Sequence, residues 1–148
     1  MPQVCEAPAK EDVKQDAKPK CVEPFGYQLL LDLYDCKPGS SDDLRLCYNF
    51  LEKVVKVLKV EQQSPPFLFQ TDGSRYPDKA GLSGWIPLVE SGIQIHTLSP
   101  KEFISIDIYS CRKFAVEPLK QFVRSQFSPR RMDAQFVERG LDYHKDGS

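Results

Sequence analysis

The sequence predicts an α+β two-layer sandwich, a mainly antiparallel sheet covered by two helices on one face. Two observations carry this. Residues 81–111 hold three short apolar runs, 85–89, 93–95 and 103–109, each rich in β-branched or aromatic residues and too short for a helix. On either side of that region lies a segment whose apolar residues recur every three or four positions, the signature of a helix with one buried face. The resulting order is β-α-(β)-β-β-β-α-β, which folds most simply as helices layered on one sheet.

The bulk numbers fit one soluble domain. At 148 residues the chain is long enough for a single core and short for two. Hydrophobic residues make up 41% and charged ones 28%, an ordinary globular balance. A net charge of −1 gives no electrostatic case for nucleic acid or an anionic membrane as partner. No apolar run is long enough to span a bilayer, and the N-terminus lacks the hydrophobic region of a signal peptide. The expected location is cytoplasmic. The five cysteines (Cys5, Cys21, Cys36, Cys47, Cys111) are scattered without a Cys-x-x-Cys pair, and His96 and His144 are the only histidines. That pattern supports neither a zinc site nor a disulfide framework, so reduced thiols and no metal are expected.

Residues 1–24 carry Lys, Glu, Asp, Pro and Ala with almost no large apolar side chain, and are expected to form a disordered tail ahead of a domain at 25–141. Residues 142–148 read as a polar C-terminal tail. The first strand is 27–34, bounded by Pro24 and Gly26 before it and by Lys37-Pro38-Gly39 after it. Asp32 is its odd residue, a carboxylate in an apolar run that either points to solvent or faces a ligand. Ser40-Ser41-Asp42-Asp43 supplies N-cap candidates for the first helix. Leu44, Cys47, Leu51, Val54, Val55 and Leu58 form its stripe, and Lys53, Lys56 and Lys59 suit its C-terminal end.

Residues 60–82 predict a long loop with a possible short strand at 67–69, and loops of that length are often functional or mobile. Among the central strands, 103–109 alternates cleanly, with Phe103, Ser105, Asp107 and Tyr109 on one face and Ile104, Ile106 and Ile108 on the other. Val116, Leu119, Phe122, Val123 and Phe127 predict the second helix, where Pro118 is tolerated in the first turn and Pro129 ends it. Residues 132–138 predict a last strand. Ser83, Glu90, Ser91, His96 and Cys111 stand in or beside the central strands. Two hydroxyls, a carboxylate, an imidazole and a thiol thus share one short sheet segment, the place to look for chemistry.

Three stretches resemble the S-adenosylmethionine decarboxylase family in its small bacterial and archaeal form. They are Gly26 to Cys36, Ser83-Gly84 through Glu90-Ser91 to His96-Thr97, and Ile106 to Cys111, with a weaker echo in Glu138-Arg139-Gly140. The spacing Ser83–Ser91–His96–Cys111 matches the family's pattern without a gap. The resemblance implies a pyruvoyl-dependent carboxy-lyase, made as a zymogen that cuts itself between Glu90 and Ser91 and leaves a covalent pyruvoyl group at Ser91. That group would condense with the substrate's amino group as a Schiff base and accept the electrons freed when CO₂ leaves. Ser83 and His96 resemble the residues that assist cleavage by hydrogen bonding and proton transfer. Cys111 resembles the acid that returns a proton to the substrate carbon.

The same resemblance places Asp32 near the substrate, lets Tyr76 offer an aromatic face to adenine, and implies a homo-oligomer that pairs its sheets. It makes the product a donor of aminopropyl groups for spermidine and other polyamines. Two positions depart from the family. Gly92 follows the serine where many bacterial relatives have His. Leu98-Ser99-Pro100 replaces a Trp-Pro-Glu-like motif whose Glu binds the ribose, so Glu102, two residues beyond, becomes the candidate for that role. Two rivals follow: the same chemistry on arginine or ornithine, and an unprocessed, non-catalytic relative that binds or regulates a partner.

Overall fold

A computed structural model describes residues 22–144. The tails expected at 1–24 and 142–148 lie outside the described residues at 1–21 and 145–148. The elements in chain order are β1 Gly26–Tyr34, α1 Leu44–Leu58, β2 Phe67–Thr71, β3 Gly81–Leu88, β4 Ser91–Leu98, β5 Phe103–Ser110, α2 Val116–Phe127 and β6 Arg131–Arg139. The six strands form one sheet in the order β2-β3-β4-β5-β1-β6, and every neighbouring pair is antiparallel.

Alternation decides what each face carries. On one face Leu29, Leu31 and Leu33 of β1 and Ile104, Ile106 and Ile108 of β5 are buried with Ile93 and Ile95 of β4 under the helices. α1 contributes Cys47, Phe50, Leu51, Val54 and Val55 to that layer, and α2 contributes Leu119, Val123 and Phe127. Phe50 ties the two helices together, with ring centroids 5.9 Å from Phe122 and 5.0 Å from Phe127. Asp43 caps α1, its side chain accepting from the Leu46 amide at 2.9 Å, and α2 stops at Ser128 in the left-handed region just before Pro129. Burial pushes the Cys36 thiol up to about 11 and the Cys47 thiol up to about 12, which leaves both protonated and unreactive at neutral pH.

Among the described residues no helix lies over the other face. Across it runs a row of directly opposed residues, Ser83, His96, Ser105, Asp32 and Asp133. Two residues along each strand lies a second row with Trp85, Gln94, Asp107 and Leu30. Phe69 and Trp85 stay 68% and 48% exposed there.

Two strands run further than propensity allows. β3 begins at Gly81 instead of residue 85, and β4 spans Ser91–Leu98 instead of 93–95. The ladder recruits Gly, Ser and His residues whose own β preference is weak, because tertiary pairing outweighs propensity. The 60–82 stretch is also more ordered than a bare loop. It holds β2 out to Thr71 and a 3₁₀ turn at Pro77–Lys79, and residues 61–63 lie against the end of β3.

Candidate active site

β3 and β4 are joined by a two-residue turn, Val89-Glu90, closed by the Leu88–Ser91 pair. Tight hairpins of this length want residues that accept positive φ at the tip, usually Asn or Gly. Val89 and Glu90 are poor choices, and the strain falls on the next residue: Ser91 has φ 144°. A non-glycine residue held in such a region costs of order 1–3 kcal/mol and persists only where its surroundings over-determine it.

Those surroundings are a backbone strap. The Val89 amide donates to Glu61 O at 2.9 Å, the Gln63 amide donates to Pro87 O at 2.9 Å, and Gln62 bridges to Leu88. The Glu61 amide in turn donates to Glu90 Oε2 at 3.1 Å. From the opposite side the Cys111 amide donates to the Glu90 carbonyl oxygen at 2.8 Å. The carbonyl that precedes the strained serine is therefore fixed and polarised by a backbone N–H. Such a donor favours negative charge developing on that oxygen. The Cys111 thiol, one residue past the end of β5, is exposed.

Beside the turn, on the open face, is a cleft of about 350 Å³ lined by Gln28, Trp85, Ser91, Gly92, Asp107 and Tyr109 among others. Burial, and then the nearby Asp32 carboxylate, raise the Asp107 carboxyl above its ordinary range. The folded state therefore binds this proton more tightly than the unfolded chain, and Asp107 costs stability as pH rises through its folded value. Asp107→Asn should raise the Tm at pH 7, with the gain vanishing at pH 3, in paired thermal melts at the two pH values.

A second group lies further along the same face. Ser83 Oγ and His96 Nδ1 are 3.0 Å apart on opposed residues of β3 and β4. His96 is five residues from Ser91 on one strand, about 17 Å at ~3.4 Å per residue. Asp32 shares the row of His96, reached through Ser105.

Glu102 and Tyr76 belong to the far end of the sheet. Glu102 precedes β5, whose Phe103 pairs with Leu98, whereas Ser91 pairs with Ser110 at the opposite end. The Glu102 carboxylate is already engaged: Oε1 accepts from the Gly39 amide at 3.0 Å and Oε2 from the Ser41 hydroxyl. Ser41 O in turn accepts from Thr97 Oγ1, which also takes the Leu82 amide at 2.8 Å. Glu102 thus anchors the turn ahead of α1, and within one chain it is not brought to Ser91. Glu102→Ala strands that amide and hydroxyl and should cost about 1–3 kcal/mol in denaturant unfolding. Tyr76 sits between β2 and β3 with its ring exposed and Arg75 5.1 Å from its centroid.

Of the residues singled out from sequence, the fold thus gathers Glu90, Ser91 and Cys111 at one turn and pairs Ser83 with His96. It leaves Glu102 and Tyr76 elsewhere. Glu61, Trp85, Asp107 and Tyr109 around the turn were not singled out. For Asp107 and Tyr109 the signal was present, since the 103–109 alternation already placed them on the face of Ser105. Among the described residues no group of three or more His, Cys, Asp or Glu side chains could hold a metal ion.

Comparison with known proteins gives a consistent answer. The family model for S-adenosylmethionine decarboxylase matches residues 27–140. The S-adenosylmethionine decarboxylase proenzyme of Persephonella marina is 30% identical over 126 residues, covering 84% of this chain and 90% of its own. That of Thermococcus gammatolerans is 26% identical over 129 residues, covering 84% and 83%. Among solved structures, the adenosylmethionine decarboxylase of Aquifex aeolicus superposes with a TM-score of 0.68 at 26% identity, over 80% of this chain and 92% of that one.

Proposed function

The chain belongs to the S-adenosylmethionine decarboxylase family, and from that premise we propose that it cuts itself between Glu90 and Ser91 and decarboxylates S-adenosylmethionine. The single observation that carries the reading is the turn itself: a serine at φ 144° directly after a carbonyl pinned by the Cys111 amide. Ser91 Oγ attacks the Glu90 carbonyl carbon while the Cys111 N–H steadies the oxyanion, and the peptide nitrogen leaves to give an ester. Loss of the Ser91 α-proton then expels the Glu90 carboxylate and leaves dehydroalanine at 91. Water enters there and ammonia departs, which frees a keto group at the new N-terminus.

The residues present fit a pyruvoyl group. Position 91 opens on the cleft, Gly92 adds no side chain beside it, and no metal is needed for the steps above. The group supplies a carbonyl that takes up the substrate's amino nitrogen and draws off the electrons left by CO₂. The chain's own residues do the rest. Cys111, exposed at the turn, delivers a proton to the substrate carbon. Asp107 and Asp32 give the open face a negative character that suits a cationic sulfonium substrate. The product serves as the aminopropyl donor for spermidine synthesis.

His96 and Ser83 are about 17 Å from Ser91 in one chain, too far for proton transfer. We infer that they act on the Ser91 of a second copy. The exposed Phe67, Phe69, Trp85 and Val137 give the uncovered face the apolar character of an interface, and two such faces packed about a two-fold axis reach both sites. No helix among the described residues is long and apolar enough to cross a membrane. A cytoplasmic setting suits the three free cysteines found among them.

The deciding experiment is denaturing intact-mass analysis with decarboxylation assays on S-adenosylmethionine, arginine and ornithine. Two chains, 1–90 and 91–148, with CO₂ released only from S-adenosylmethionine, is the expected result. Release from arginine or ornithine instead would replace the substrate. A chain still whole after long incubation would overturn the enzyme reading and leave a non-catalytic binding or regulatory role.

A further inference from the structure

Gly92 follows the reactive serine, and a Cβ built on it would lie 2.8 Å from Trp85 Nε1 and 3.5 Å from Ile86 O. The indole edge thus occupies the space into which any side chain at 92 would project. Trp85 is itself held: Phe67 on the neighbouring strand stacks on it, with centroids 6.0 Å apart and ring planes 20° from parallel. The hydrogen bonds of the strap at 61–63 go to Pro87, Val89 and Glu90, and none goes to Ser91 or Gly92. A serine at φ 144° needs restraint from both sides to remain there.

We propose that Trp85 and Gly92 act as one positioning unit, the indole taking the place of a side chain at 92 and holding Ser91 in its reactive conformation. The inference rests on the self-cleavage reading, because Ser91 is the group being positioned. It assigns a role to a tryptophan left half exposed on an open sheet face. It also makes Gly92 the partner of that tryptophan instead of a gap in the machinery. Neither residue touches the reacting carbonyl; both act through Ser91.

The test compares wild type, Trp85→Ala, Gly92→Ala and the double variant for cleavage half-time by intact mass, with Tm measured on each. Each single change is expected to slow cleavage about tenfold or more, the scale for a reacting group misplaced by a fraction of an ångström to one ångström. The double variant should be slowed far less than the product of the two, because the new Cβ enters space that the indole has vacated. Single variants that cleave at the wild-type rate, or effects that simply multiply, overturn the proposal. Trp85 is the only tryptophan, so a second readout needs no cleavage. In a Ser91→Ala background, adding Gly92→Ala should red-shift Trp85 emission and increase its quenching by acrylamide, and unchanged emission and quenching also overturn the proposal. An uncut wild-type chain would remove the decarboxylase reading, while the emission comparison would still decide whether the two residues are coupled.

Discussion

Ser91→Ala should yield a chain that stays whole indefinitely and whose decarboxylase activity is at background. The reason is positional. The Glu90 carbonyl lies in a tight turn, with its oxygen taken by the Cys111 amide and its flanks tied to residues 61–63. Only a nucleophile attached to the adjacent residue can approach its carbon, and alanine supplies none. Fold and stability should be kept or improved, since alanine removes one hydroxyl and the Ser91 side chain makes no hydrogen bond among the described residues. Ser91→Thr retains a hydroxyl but adds a β-branch where φ is already 144°, which is a poor site for a branched side chain. It should therefore cleave, but at least about tenfold more slowly. Mass spectra taken over several days would separate the three chains. Cleavage of Ser91→Ala at this peptide bond would mean that an external nucleophile reaches the carbonyl, and the acyl-shift route would be wrong.

Much of this fold is legible from residue order. Strict alternation over 103–109 put three isoleucines on one face and Asp107 and Tyr109 on the other, because strand geometry leaves no other partition, and the isoleucines are the set buried under the helices. The helix stripe from Cys47 to Leu58 was equally plain, but Leu44, expected to lead it, sits in the first turn and stays exposed. What could not be read was contact between distant segments. Val60-Glu61-Gln62-Gln63 has no strand pattern, yet its backbone braces the reactive turn, and backbone hydrogen bonds leave no trace in side-chain identity. Glu102 invited a ligand-binding role because it is an acid near an expected motif. Its carboxylate accepts from the Gly39 amide and the Ser41 hydroxyl, more than sixty positions away, a structural tie that the sequence did not announce. Trp85 read as one more apolar strand residue, and only the position of its side chain, diagonal to its register partner Gln94, brings the indole over Gly92.

The separation of His96 from Ser91 leads to the second large effect. If two open faces pack about a two-fold axis, each reactive serine is served by the Ser83–His96 pair of the other copy, and the two sites are reciprocal. Ser91→Ala and His96→Ala chains, expressed separately, should each be inactive: the first lacks the nucleophile and the second lacks the proton carrier. Expressed together, they should form mixed dimers in which one site has both residues intact and the other has neither. Random assortment makes half the dimers mixed and restores one of two sites in each, so activity should return to about a quarter of wild type. Only the His96→Ala chain should appear cut in the mass spectrum, since it alone carries Ser91. The quantity measured is thus a gain of function from two dead parents, which general damage to the fold cannot produce. Co-expressed chains that stay inactive and whole would confine His96 to its own subunit, and His96→Ala that cleaves normally alone would remove it from the processing step. The first of these results would require the gap of about 17 Å along β4 to be closed by a rearrangement of the strand, which its full pairing to β3 and β5 opposes.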